Sequence, residues 1–168
     1  FNALNTIKGA VILEPHLACT LINDFAVCLR FQYQILQEDR MVSFEEEVRQ
    51  VQAMIHIEMA RFSKIEVEFE LEETDFLVPP MSLWLLVQDG IYHCLAQKKK
   101  GGTVFVVSRK NKQGYQIEVW DDGSYSGQEG HPDGAKSRES REYIRQQLEE
   151  RAGATVKYMQ KNAGKEGT

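Results

Sequence analysis

The sequence has few cysteines, no long apolar run and no surplus of basic charge, and each absence excludes a class of protein. Cys19, Cys28 and Cys94 form no CxxC pair, which argues against a disulfide framework and against a cysteine zinc site. No apolar stretch approaches the roughly 18 residues that a membrane span needs. The formal net charge is -5, which disfavours a nucleic-acid partner. The 168 residues suit one globular domain with a helical extension.

Apolar residues repeat at helical spacing through the first third of the chain. The repeat over residues 17–36 predicts an amphipathic helix, and "ILEPH" separates it from a first helix over about residues 1–12. A further helix is predicted to begin at "SFEE", where Ser43 and Glu46 have the spacing of a capping box. We expect these helices to form a hairpin, or a stalk through which two copies of the chain pair.

From residue 65 the pattern alternates, as strands do. "IEVEFELEE" predicts a strand with one buried face, and "TVFVVS" and "YQIEVW" predict a hairpin with Gly114 at its tight position. "VPPMSLWLLVQDGIYHCL" predicts a helix with Pro79 or Pro80 in its first turn. A long polar loop, a last helix in "SRESREYIRQQLEERAG" and a final strand "ATVKYMQ" follow. This order indicates an α/β two-layer sandwich with helices on one face of a mixed or antiparallel sheet.

Four short motifs follow one another along the chain: "FNALNTI" (1–7), "IEMARF" (57–62), "PPMSLWLLVQDGIYH" (79–93) and "IEVWDDG" (117–123). In that order they resemble "PHFLFNALNTI", "IExxRF", the N-box "PPLLLQPLVENAIKH" and the G1 box "IEVEDNG" of LytS-type sensor histidine kinases. The chain therefore resembles the dimerisation and ATP-binding portion of these kinases, over essentially its whole length.

The resemblance implies a fold for each part of the chain. Residues 64–168 would form a GHKL, or Bergerat, ATPase domain, an α/β sandwich whose mixed sheet has its helices on one face. Residues 1–63 would form the helical dimerisation and phosphotransfer hairpin. The family's phosphoacceptor histidine would precede Phe1, because "EPHLA", which contains His16, falls where the family has its "DPxxA" helix break. "AGKEGT" resembles the "GKGT" before the family's last strand, which would therefore follow Thr168.

The resemblance also implies a nucleotide site with ATP and Mg²⁺ as cofactors. Asp121 matches the aspartate that reads adenine, and Gly123 permits the tight turn beneath it. Asp89 stands at the Mg²⁺-binding asparagine, and a carboxylate oxygen is a good Mg²⁺ ligand. Gln88 stands at the catalytic glutamate but has no titratable group for acid–base chemistry. His93 matches a family histidine at the end of this helix, where phosphate contact and a capping role are both open.

Several departures concern the half of the site that would hold the phosphates. Tyr125 replaces the second glycine of the family's "DNGPG". Arg138, Glu139, Ser140 and Arg141 stand by spacing at the "GxGL" turn. Glycine lets backbone amides approach phosphates closely, whereas these residues add side chains and Glu139 adds a negative charge.

Two functions follow from the resemblance and its departures. The first is the kinase core of a two-component sensor, which binds Mg·ATP, phosphorylates the upstream histidine and passes phosphate to the receiver domain of a response regulator. It would act as a homodimer in the cytoplasm, with any membrane segments lying outside this chain. The alternative is a pseudokinase of the same fold that binds ATP weakly or not at all and signals by dimerisation.

Overall fold

The computed structural model describes residues 2–37, 40–62, 64–96, 101–122, 142–143, 145–151 and 155, without the side chains of residues 93, 95 and 96. Residues 142–143 and 145–151 are helical, as predicted for the last helix, whereas the predicted strand "ATVKYMQ" lies outside the described residues except for Thr155. Within the described ranges no helix is both long enough and apolar enough to cross a membrane. The main elements are α1 (Asn2–Leu13), α2 (Pro15–Gln37), β1 (Val42–Ser43), α3 (Phe44–Met59), β2 (Ile65–Leu71), β3 (Leu77–Val78), α4 (Ser82–Ala96), β4 (Gly102–Asn111) and β5 (Gly114–Asp121).

The first two helices are separated by a much smaller break than the sequence predicts. Only Glu14 lies between α1 and α2, and helical hydrogen bonds pass through it, from Glu14 N to the Ala10 oxygen at 2.8 Å and from Ala18 N to the Glu14 oxygen at 3.0 Å. Pro15 is tolerated because a proline at a first helical position loses no intrahelical donor. The helical hairpin is instead formed by α2 and α3, whose facing sides include the ion pair of Asp24 with His56 at 3.2 Å.

The α3 helix contributes to two apolar clusters, one on each of two faces. The predicted stripe is confirmed on one face, which packs against α4 and the sheet. A second face, which the periodicity did not predict, packs against α1 and α2. A boundary between residues 63 and 64 would fall just after this shared helix and stays a prediction. The α3 residues are Phe44, Val48, Val51 and Ile55 on the first face and Ala53 and Ile57 on the second.

The larger sheet has the order β2-β4-β5 and is mixed, which confirms the predicted mixed sheet. The β2 and β4 strands are parallel, and β4 and β5 are antiparallel. The alternation in β2 is also confirmed, because its apolar side chains pack against the core while its glutamates are exposed. The hairpin prediction holds too, since Asn111 pairs with Gly114 across a two-residue turn and Gly114 has a φ of +136°. A residue with a Cβ would be strained there.

The start of α4 differs from the prediction. Pro79 and Pro80 do not lie in its first turn, because Met81 has a φ of +67° and the helix begins only at Ser82. A left-handed residue cannot continue a right-handed helix, so the prolines are left in the preceding connection. Just before them, β3 pairs with β1 in a short antiparallel ladder, which brings the starts of α3 and α4 together.

Candidate functional site

The register of the sheet places the Asp121 side chain on the face that α4 covers. Asp121 pairs with Val104 of β4, and Val104 pairs with Val67 of β2. Directly paired residues project from the same face of a sheet, and Val104 is fully buried in the core that includes α4. The half-buried carboxylate at the end of β5 therefore lies beside the apolar row on which α4 packs.

The α4 helix approaches this row closely at Gly90. A Cβ atom at residue 90 would lie 3.0 Å from Cγ1 of Val104, so the missing side chain allows this close contact. Gln88 and Asp89 lie on the same turn of α4 and are both half-buried. The turn that carries these two predicted site residues is thus packed one strand away from Asp121.

The end of the β4–β5 ladder is closed by Asp122. Its Oδ1 accepts a hydrogen bond from Thr103 N at 2.7 Å, and its own N–H donates to the Thr103 oxygen at 3.1 Å. A Cβ atom at Gly102 would lie 2.7 Å from Cys94 Sγ and 3.0 Å from Asp122 Oδ1. Cys94 of α4 and this aspartate therefore converge on the bare backbone of Gly102.

Asp121 and Asp122 lie near a buried thiol at this end of the sheet. The pKa of the Cys94 thiol is raised to about 12, first because the thiol is buried and then because Asp121 and Asp122 lie near it. Cys94 is consequently a protonated, buried thiol at neutral pH and not a nucleophile. The same shift shows that both carboxylates lie close to the second half of α4.

Some of the predicted site residues lie outside the part of the chain that the structure describes, or are described only in part. Gly123, Tyr125 and residues 138–141 lie outside the described residues, and His93 is described only as a backbone position of α4. The structure places Asp121 next to Val104, and the helix turn that bears Gln88 and Asp89 packs on Val104 at Gly90. The roles assigned to these residues stay predictions.

A Mg²⁺ ion carried by a nucleotide fits the chemistry of Asp89. In the described part of the chain, no group of three or more histidine, cysteine or acidic side chains is arranged to hold a metal ion. Mg²⁺ usually keeps several waters and binds proteins through one or two carboxylates together with substrate phosphates. A single carboxylate on α4 therefore suits an ion that arrives with phosphates and does not suit a resident metal.

Three residues of this region were not predicted from the sequence: Gly90, Cys94 and Asp122. The helical repeat does place Cys94 on the buried face of α4, but it does not show what lies opposite. Asp122 is adjacent to Asp121 in "WDDG", and nothing in the order of two aspartates says that the second one closes the strand pair. Only the pairing of β4 with β5 separates the two roles.

Comparisons with known proteins find similarity to histidine kinases. A family model described as "Histidine kinase" matches residues 1–65. The uncharacterized protein YwpD of Bacillus subtilis is 31% identical over 126 residues, which cover 73% of this chain and 45% of that protein. The sensor histidine kinase YpdA of Escherichia coli is 31% identical over 73% of this chain and 22% of its own length. The sensor protein LytS of Staphylococcus saprophyticus is 29% identical over 73% of this chain and 21% of its own length.

A helical hairpin joined to a mixed α/β sheet, with matches of this kind, defines the class of the protein. It is related to the sensor histidine kinases, the signal-transducing kinases of two-component systems. Within that class its relatives are the LytS-type sensor histidine kinases. The chain spans less than half of the length of each relative named above.

Proposed function

We propose that this chain is the kinase core of a two-component sensor. Residues 64–168 would form a GHKL-type ATP-binding domain, and residues 1–63 would form the stalk for dimerisation and phosphotransfer. This part of the protein would lie in the cytoplasm, where it would meet the receiver domain of a response regulator. Its attachment to a membrane, if any, would come from other parts of the protein.

The observation that carries the proposal is the position of Asp121. Its carboxylate lies at the end of a strand, half-buried, on the side of the sheet covered by α4. A carboxylate in that position can accept a hydrogen bond from the exocyclic amine of adenine, and such a bond is stronger where the carboxylate is partly removed from water. Gly123, one residue past Asp122, would permit the turn beneath the base.

The phosphate end of the nucleotide would then extend toward the turn of α4 that carries Gln88 and Asp89. Asp89 would hold Mg²⁺, which neutralises phosphate charge when bound, and His93 would contact a phosphate oxygen. Gln88 would orient the acceptor by a hydrogen bond, because its amide cannot take up a proton. In the reaction, a nitrogen of the histidine upstream of Phe1 forms a bond to the γ-phosphorus while the bond to ADP breaks. The phosphoryl group would pass next to an aspartate of the receiver domain.

Exposed apolar side chains on α1 and α2 support the homodimer. The sequence pattern places Leu29 and Leu36 on the apolar stripe of α2, yet both are exposed, and Leu36 is exposed to 84%. Ile12 and Leu13 at the end of α1 are exposed to 79% and 80%. Ile12 and Leu13 are adjacent, and large apolar side chains exposed next to each other are typical of a protein interface. Sedimentation analysis should give a dimer, and Leu36→Glu with Ile12→Glu should shift it toward the monomer.

One observation favours the pseudokinase instead. Asp121 and Asp122 both lie close to the second half of α4, and Asp89 lies on that helix in place of asparagine. Without a bound cation, Asp89 about 4 Å from a phosphate would cost about 4 kcal/mol at an effective dielectric near 20. A nucleotide would then bind weakly, and the fold would signal through its dimer and its partners.

Calorimetric titration of the protein with Mg·ATP separates the two functions. The kinase predicts micromolar binding that Asp121→Ala abolishes. The matched control is Glu68→Ala, which removes an exposed carboxylate from the opposite face of the sheet and should leave binding unchanged. Absence of heat at millimolar ATP would establish the pseudokinase, and equal loss in both variants would remove the assigned role of Asp121.

Two further variants test the roles proposed for Gln88 and Asp89 of α4. Asp89→Asn and Gln88→Glu restore the residues of the N-box motif that the chain resembles. If the substitutions in this chain weaken binding, Asp89→Asn should tighten ATP binding when Mg²⁺ is scarce, because one negative charge is removed. Gln88→Glu should raise phosphorylation in a chain that carries the phosphoacceptor histidine without tightening ATP binding. If neither variant changes either measurement, the assignment of residues 88 and 89 to the nucleotide site is wrong.

A further inference from the structure

The start of α4 lacks a cap from its own sequence. Met81 stands at the N-cap position, where serine, threonine, aspartate and asparagine usually supply the side-chain oxygen that accepts from the first free amides. Its thioether is only a weak acceptor. Met81 also has a φ of +67°, a left-handed conformation that a residue with a side chain adopts at a cost. This helix start therefore depends on a group from another part of the chain.

Glu47 of α3 supplies that group. Its Oε1 accepts a hydrogen bond from Met81 N at 2.5 Å, and its Oε2 accepts one from Leu83 N at 3.0 Å. Glu47 is completely buried, and burial raises its pKa to about 7 even though hydrogen bonds from backbone amides act in the opposite direction. A buried carboxyl on α3 thus takes the place of the missing local cap.

Other contacts fix the same two helix starts to each other. Phe44 N donates to the Phe76 oxygen at 2.8 Å, and the two rings stack with their centroids 4.6 Å apart. Val42 of β1 pairs with Val78 of β3. These contacts hold the segment before α4, whereas Glu47 bonds to the first residues of the helix itself. Both oxygens of one side chain are used, so the position of α4 relative to α3 is set at two points.

We propose that Glu47 is a positioning residue that couples α3 to the helix bearing Gln88 and Asp89, so that a displacement of α3 reaches the candidate nucleotide site. The proposal rests on the function proposed above. Asp89 is six residues from Leu83, about 9 Å along a continuous helix at 1.5 Å per residue. A shift at the start of α4 therefore moves the turn that faces the sheet near Asp121.

The face of α3 that packs on α1 and α2 would receive a movement of those two helices. Ala53 and Ile57 pack with α1 and α2, and His56 is paired with Asp24 of α2. A rearrangement of the stalk helices must consequently move α3 or break these contacts, since packed interfaces have discrete arrangements. Glu47 is the residue of α3 that carries such a movement into the backbone of α4.

Amide hydrogen exchange tests the coupling without any nucleotide. In Glu47→Gln one carboxyl oxygen becomes an NH₂ group, which cannot accept a bond, so Met81 or Leu83 loses its acceptor. The amide that loses its acceptor, that of Met81 or of Leu83, should exchange at least tenfold faster, while those of the α3 interior keep their rates. Glu45→Gln is the matched control, because Glu45 is an exposed neighbour on the same helix. Unchanged exchange in Glu47→Gln would overturn the proposal.

A second background keeps the test informative if Glu47→Gln folds poorly. Met81→Gly removes the strain of the left-handed residue, so the same pair of variants is compared in that background. Faster exchange confined to the start of α4 is again the expected result. A chain with Glu47→Gln that remains unfolded in both backgrounds would overturn the proposal, because Glu47 would then support the whole fold and not the position of one helix.

Mg·ATP titration gives the second measurement. If the wild-type chain binds ATP, Glu47→Gln should weaken binding about tenfold, whereas Glu45→Gln should leave it unchanged. ATP should also slow exchange in α3 of the wild type, and in Glu47→Gln this slowing should be confined to α4. If Glu47→Gln and Glu45→Gln bind ATP equally well, and ATP slows exchange in α3 equally in both, the proposed coupling is wrong. A wild-type chain that binds no ATP would overturn the proposed kinase function, while the exchange of Met81 and Leu83 would still decide the role of Glu47.

Discussion

The starts of α3 and α4 satisfy the same need in different ways. At α3, Ser43 Oγ accepts from Glu46 N at 3.1 Å and Glu46 Oε2 accepts from Ser43 N at 3.3 Å, so the cap is complete within four residues. At α4 the acceptor is Glu47, which lies 34 and 36 residues before the two amides it binds. A local cap stabilises its own helix, whereas a remote cap also ties two helices together.

The starts of α3 and α4 should respond differently when each loses its cap. The α3 cap is half-buried and partly reached by water, which can replace a lost side chain. The Glu47 carboxyl is fully enclosed, so a lost acceptor leaves backbone donors without water. Loss of the remote cap should therefore cost more than loss of the local one, and four measurements can break or sharpen this comparison.

The largest effect is expected from Glu47→Ala. Two backbone donors lose their acceptor and a space opens in the core, so the free energy of unfolding should fall by about 4 kcal/mol. The measurement is chemical denaturation near pH 6, where the carboxyl is mostly protonated and its burial costs little. Fluorescence of the buried Trp84 reports the change directly. Glu45→Ala should cost far less, and a loss for Glu47→Ala no larger than that of the local cap would refute the comparison.

The next effect is a pH dependence that belongs to Glu47. Its pKa is raised from 4.5 to about 7 by burial, so the folded chain binds a proton that the unfolded chain releases between these values. The contribution is present in full below pH 4.5 and is lost as the pH rises to about 7, a decrease of about 3 kcal/mol in the free energy of unfolding. Subtracting the profile of Glu47→Gln removes all other groups. A difference that is flat, or that grows with pH, would show that the carboxyl is ionised when buried.

Removal of the local cap should have a smaller effect. Ser43→Ala leaves the amide of Glu46 without its side-chain acceptor, which should lower the free energy of unfolding by about 1 kcal/mol. Ser43→Asn provides an oxygen at the same place and should restore most of the loss. Equal stability of the serine and alanine forms would mean that water already satisfies this helix start.

The smallest effect, and the only stabilising one, is expected from Met81→Gly. Glycine adopts a φ of +67° without strain but has more freedom to lose on folding, so the net gain should be about 0.5 kcal/mol. Gly114→Ala is the mirror-image control, because it places a Cβ at a φ of +136° and should be destabilising although nothing lies within 4 Å. A loss of stability in Met81→Gly would show that the methionine side chain contributes more than its backbone strain costs.

Much of the fold could be predicted because the relevant signals are local. Apolar spacing located α2 and α3, alternation located β2, and Ser43 with Glu46 marked the start of α3. The errors arose where a distant group overrides a local preference. Pro79 and Pro80 suggested a first helical turn, but Met81 is held in a left-handed conformation and the helix begins after it.

The candidate site, like the fold, could be predicted only in part from the sequence. Asp121 could be singled out as a carboxylate after a strand, because a strand end followed by "DDG" is visible in the chain. Its closeness to α4 could not be derived from that pattern, because it depends on the register of β5 against β4 and on the missing side chain of Gly90. The exposure of Leu36 and the burial of Glu47 were equally hidden, since both oppose the usual preference of their residue types.

The sequence by itself determined the type and order of the long helices and of β2, β4 and β5, together with the cap of α3, because each depends on residues within a turn or two of one another. Only the tertiary structure decided that α3 serves two clusters, that Asp121 lies beside α4 and that Glu47 caps that helix. The physical reason is that a buried carboxyl takes whichever donors the fold brings to it, and donors 34 to 36 residues away leave no trace in the local pattern.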